Sequence, residues 1–120
     1  MRKFRGKRID NGKWAYGAFY PIKDEDVYFI INNCKSIDFD DGDTTFNGYK
    51  VHKKSVGEFT GLHDKNGKEI YEGDIIKGET RNFTVKFEEG MFTTDVGKYI
   101  LNGDYEIIGN IFENAGLVKL

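Results

Sequence analysis

The residues able to do chemistry are few in this chain and scattered along it. Cys34 is the only cysteine, and His52 and His63 are the only histidines. A thiol nucleophile needs a neighbouring base, and neither histidine sits in a recognisable Cys/His signature. A zinc centre needs three or four Cys, His or carboxylate ligands at close spacing, which one Cys and two separated His do not supply. The sequence therefore predicts no catalytic residues, no metal site and no cofactor.

Two acidic stretches invite a closer test. Asp38, Asp40, Asp41, Gly42 and Asp43 look like part of a calcium loop. An EF-hand places Gly sixth and Glu twelfth, whereas counting from Asp38 puts Gly42 fifth and Tyr49 twelfth. A solvated acidic loop fits better. Asp64, Glu72 and Asp74 form the second group. Here Gly73 can take a positive φ and Asp74 can accept from nearby backbone amides, so a structural corner outweighs an acidic catalytic cluster. The phosphate-cradling pattern of Gly, four residues, Gly-Lys and Ser or Thr is absent. The sequon Asn82-Phe83-Thr84 matters only outside the cytoplasm.

The best binding candidate is the basic start. Arg2, Lys3, Arg5, Lys7 and Arg8 flank Phe4 and precede Trp14 and Tyr16. Cations beside rings suit nucleic-acid binding, where rings stack on bases and cations track phosphates. The rest of the chain does not share this bias. Residues 1–60 hold 11 Lys/Arg and 9 Asp/Glu, residues 61–120 hold 7 and 11, and the net charge is −2. That is a mild polarity between halves rather than a strong field.

The elements that would position these residues read as short strands. With 120 residues, 15 Gly and 1 Pro, and 15% aromatic content, the chain suits strands joined by tight turns. Phe4–Ile9 reads as a strand, Asn11-Gly12 as a hairpin turn, and Trp14, Tyr16, Ala18 and Tyr20 as one face of a second strand closed by Pro21. Val27–Ile31 reads as a buried strand. Residues 36–50 read as a loop or irregular hairpin, and 51–56 as an extended piece. Asn66-Gly67 and Glu89-Gly90 mark further turns between apolar runs. No stretch of twelve residues carries helical periodicity. A soft boundary near Glu58–Gly61 separates residues 1–58 from 59–120. Each part is of a size at which a lone core is marginal, so the halves are expected to share a core as one cooperative unit, or to shield apolar surface by self-association.

No apolar run follows the basic start, and the longest, Val27–Ile31, is far too short to span a bilayer. With a single cysteine, these features predict a soluble cytoplasmic protein with no membrane partner.

Residues 59–76, FTGLHDKNGKEIYEGDII, resemble the signature block of the YopX family. Residues 3–20, KFRGKRIDNGKWAYGAFY, are similar to the opening of one branch, and 106–117, EIIGNIFENAGL, to its usual ending. His63 stands where the family more often has Lys, and Ala115 where it usually has Pro. The resemblance implies a phage or prophage product that is mainly β, with small antiparallel subdomains and an SH3-like barrel in the C-terminal half. It also implies a bacterial host cytoplasm, oligomer contacts in the N-terminal part, and no catalytic residue to carry over. The functional expectation is a non-enzymatic protein-binding or assembly module. It would act as a homo-oligomer or on a host or phage protein, with nucleic-acid binding through Arg2–Arg8 as the alternative.

Overall fold

The computed structural model describes residues 2–32, 48–95, 100 and 102–118. The acidic stretch at 38–43, Cys34 and most of the run at 98–101 lie outside the described residues. The chain divides into two compact units, Met1–Val56 and Gly57–Leu120.

In the first unit, β1 (Phe4–Lys7), β2 (Trp14–Ile22), β3 (Val27–Ile31) and β4 (Gly48–Lys50) pair antiparallel in the order β4-β3-β2-β1. The β1–β2 register sets Arg5 against Tyr16 and Lys7 against Trp14. The connecting turn uses Gly12 at φ 71°, the left-handed geometry a tight hairpin needs. Alternation then sorts the side chains. Ala15, Tyr28, Ile30 and Val51 are buried together, with Phe4 and Phe19 packed against them. The Phe4 and Phe19 rings lie 5.5 Å apart, and Phe19 stacks on Tyr28 at 6.1 Å. Pro21 does not end β2 as its ring chemistry suggests. It stays in the ladder opposite Tyr28, and the strand runs one residue further. The expected extended piece at 51–56 is mostly a single 3-10 turn, Lys53–Ser55. Ser55 closes it by donating its hydroxyl to the His52 carbonyl (2.6 Å) and accepting the Lys7 N–H (2.7 Å).

The second unit holds β5 (Gly57–His63), β6 (Glu69–Tyr71), β7 (Asp74–Lys77), β8 (Asn82–Glu88), β9 (Met91–Thr94) and β10 (Ile107–Asn110). β5 pairs with β6 across a register shift, and β7 to β10 form an antiparallel sheet in the order β10-β7-β8-β9. Ile70, Ile76, Val85 and Ile100 are its buried centre.

The mainly-β expectation holds. The SH3-like barrel does not, because among the described residues no sheet closes on itself. β10 and β9 end the four-stranded sheet on opposite sides without meeting. Closure needs enough strands, tilted and staggered, to bring the last back to the first. Here β7 and β9 have four residues each, and β10 carries an irregularity between Ile107 and Gly109. Short strands with glycine turns serve an open sheet as readily as a barrel, so the sequence pattern could not separate them.

Candidate functional site

β1 and the residues beside it carry the five basic side chains singled out from the sequence, and the structure does not set them out as one row. Arg5 is 8% exposed, and its guanidinium lies 4.8 Å from the centre of the Trp14 ring. Arg2 sits over Phe4 at 5.4 Å and is exposed. Arg8 lies 3.8 Å from the centre of the Tyr49 ring and grips Asp10 with two bonds, Nε to Oδ1 at 2.9 Å and Nη2 to Oδ2 at 2.7 Å. That bidentate contact raises the Arg8 pKa and holds the Asp10 carboxyl below its usual range. Lys3 and Lys7 are half-buried. A guanidinium over the face of a ring is held by cation–π attraction, so Arg2, Arg5 and Arg8 help stabilise the sheet.

The carboxylates of the central block are turned to their own backbone. Asp64 is 3% exposed. Its Oδ1 accepts the N–H groups of Asn66 (2.8 Å) and Lys68 (2.9 Å), and its Oδ2 that of Ile107 (3.2 Å). Burial pushes the carboxyl up, but the donors at Lys68, Ile107 and Asn66 outweigh it and hold the group below the ordinary aspartate range. Asp74 is buried, and its Oδ2 accepts the Tyr71 N–H at 2.8 Å across Gly73, whose φ is 93°. Glu72 is the exception. Burial raises its pKa, the Glu58 backbone works against that, and the Glu58 charge adds a further push upward.

His52 is exposed beside the Lys53–Ser55 turn of the first unit. His63 is exposed in the second unit, edge-on to Phe59 at 5.7 Å. Among the described residues no three His, Cys, Asp or Glu side chains are grouped to hold a metal ion. A cleft of about 460 Å³ in the second unit is lined by Lys65, Lys77, Glu79, Asp104 and Glu106 among others, with Lys65 Nζ paired to Glu106 Oε2 at 3.3 Å. No described helix is long and apolar enough to cross a membrane.

Sequence reasoning missed the far end of the β8–β9 hairpin. Phe87 and Phe92 face each other at 4.8 Å, and Phe87 and Met91 are 42% and 44% exposed. The signal was present in the alternation of Phe83, Val85 and Phe87, which carries the apolar face past the last buried position.

The family model described as "YopX protein" matches residues 3–119. The chain belongs to the YopX family. A solved structure described as protein EF1440 from Enterococcus faecalis resembles this YopX-family chain over 99% of both lengths, with 22% identity and a TM-score of 0.59. At that identity the likeness shows the fold alone. Comparison with curated proteins gives no match. The FTGLHDKNGKEIYEGDII block contains Asp64 with two of its backbone donors, Asn66 and Lys68, and Asp74 with its donor Tyr71, so it holds two corners of the fold.

Proposed function

We propose that this YopX-family chain is a non-enzymatic binding and assembly module. It acts in the cytoplasm of a bacterial host cell, as a homo-oligomer or on a host or phage protein. The observation that carries the reading is the exposed aromatic end of the β8–β9 hairpin, Phe87 against Phe92 with Met91 beside them. Aromatic residues and methionine are enriched where protein surfaces meet. Light scattering behind size-exclusion chromatography tests it. The expected result is a mass of two chains or more that falls on dilution. A single-chain mass at every concentration, with no protein co-purifying from host cells, overturns it.

The chain is further proposed to unfold as one cooperative whole, with 1–58 and 59–120 melting together. Parts of about sixty residues bury too little surface to be firmly stable alone. Calorimetry is expected to give one transition whose calorimetric and van't Hoff enthalpies agree. Two resolved transitions would refute this.

A second reading, nucleic-acid binding by Arg2, Lys3, Arg5, Lys7 and Arg8, is favoured by one observation. The described residues up to Val56 carry ten Lys/Arg and four Asp/Glu. Anisotropy titrations with single- and double-stranded oligonucleotides in low salt are expected to show binding that weakens steeply as salt is added. Flat titrations would remove this reading.

A further inference from the structure

We propose that copies of this chain associate head to tail, the apolar, acidic end of the β8–β9 hairpin docking on the basic end of the β1–β2 hairpin in a second copy. This rests on the assembly reading above and names its partner and its two surfaces.

The first surface is a protrusion. β8 and β9 pair out to Glu88 opposite Met91, and the turn between them is Glu89-Gly90, at φ 52° and 79°. Exposed Phe87 and Met91 are thus flanked by two exposed carboxylates, Glu88 and Glu89. The second surface is the turn end of β1–β2. Ile9 is 48% exposed, more than the other large apolar residues described. Its N–H bonds to the Lys50 carbonyl, and the neighbouring Arg8 N–H bonds to the Lys13 carbonyl. Lys13 and Lys50 are both exposed, and their backbones are bonded to those of Arg8 and Ile9, so both lysines belong to this end of the sheet. Arg8 leaves Asp10 engaged in a bidentate ion pair, which removes the one carboxylate of that turn as a competitor for the lysines.

Charge selects the occupant. Met1–Val56 carries 11 Lys/Arg and 8 Asp/Glu, while Gly57–Leu120 carries 7 and 12. Each copy therefore presents opposite signs at two different places, each beside an exposed apolar residue. Such a surface is complementary to another copy of itself in head-to-tail order. Opposed potentials steer encounter and fix orientation, while the apolar contact supplies the non-directional attraction. A head-to-tail contact joins two different patches, so growth continues past two chains unless a ring closes.

Sedimentation velocity on the full chain, in low and high salt, tests this with two variants. One neutralises the protrusion (Glu88→Gln, Glu89→Gln, Met91→Gln); the other neutralises its acceptor (Ile9→Gln, Lys13→Gln, Lys50→Gln). All six positions are exposed, so both variants should fold, and circular dichroism checks that. Wild type is expected to form species beyond the dimer that weaken with salt. Each variant alone is expected to associate at least tenfold more weakly. An equimolar mixture is expected to stop at two chains, because each partner keeps one working surface. Variants that assemble as wild type does, or a mixture that stays monomeric, overturn the head-to-tail contact while leaving self-assembly standing. A wild-type monomer at every concentration overturns self-assembly and this contact together.

Discussion

Replacing Asp64 with alanine is expected to destabilise the second unit by about 3 kcal/mol, since hydrogen bonds to a charged group contribute roughly 1.5–3 kcal/mol and buried donors left unmatched add to the loss. Three backbone N–H groups, from Asn66, Lys68 and Ile107, converge on this one carboxylate. No water-facing substitute reaches them, because Asp64 is almost fully covered. Asparagine is expected to recover only part of the loss. Its carbonyl can serve the Asn66 and Lys68 donors, but its NH₂ would then face the Ile107 N–H, donor against donor. The same carboxylate gives an acid limb to the stability profile. Its folded pKa lies below the ordinary 3.8, so its contribution is complete above that value and is lost as pH falls through the lowered folded value. Chemical denaturation of wild type and Asp64→Ala at pH 7 and at about pH 2.5 checks both points. The gap between the two proteins is expected to narrow in acid. An equal gap at both pH values would mean the carboxylate charge is not what holds the loop.

The second large effect is expected at Gly17. A Cβ built there would stand 2.2 Å from the Ile31 carbonyl oxygen, and 2.8 Å from the carbonyl carbon. Both atoms belong to the backbone of the neighbouring strand, so relief requires prying β2 from β3 along their register, not a rotamer change. Gly17→Ala is therefore expected to cost about 3 kcal/mol, the upper end of overpacking in a tight core. Against a total stability of about 5–15 kcal/mol for a small domain, that loosens the first unit seriously. Gly12 supplies the comparison. Its φ of 71° also disfavours alanine, but the nearest atom to an added Cβ is the flexible Lys7 Cε at 3.6 Å. Gly12→Ala is expected to cost only about 1 kcal/mol, the conformational part alone. Equal destabilisation in urea titrations of the two variants would show that the close approach at Gly17 is not the deciding force.

These two positions differ in how far the sequence announced them. Asp64 lies one residue before Lys65-Asn66-Gly67, and a short acid ahead of an Asn-Gly turn is a known backbone acceptor, so its structural role was legible. That its second oxygen reaches Ile107 was not, because a contact 43 residues away leaves no local pattern. The alternation of Trp14 to Tyr20 and the β-branched run Val27–Ile31 gave β2 and β3 correctly. Nothing in that alternation says why position 17 must be glycine, since the reason sits on β3. Pro21 misled, because proline is confined to strand positions that need no N–H, and the sequence does not say which those are. The barrel expectation failed at the same level. Closure depends on which strands end up neighbours, and turn chemistry fixes only consecutive pairs. At the basic start, the residue types were legible in the sequence, but the contacts of Arg5 with the Trp14 ring and of Arg8 with the Tyr49 ring and Asp10 were not, because they depend on cross-strand register.

The link from Asp64 to Ile107, together with the bonds from Lys65 N–H to the Tyr105 carbonyl and from Gly103 N–H to the His63 carbonyl, stitches one loop to residues made some forty positions later. During translation the chain emerges N-terminus first at about 5–20 residues per second. For the several seconds before residues 103–107 leave the ribosome, that loop must wait with its carboxylate hydrated. Residues 103–107 therefore act as a latch. A nascent chain stalled just short of it would carry all the earlier strands and still lack the fastening that commits them.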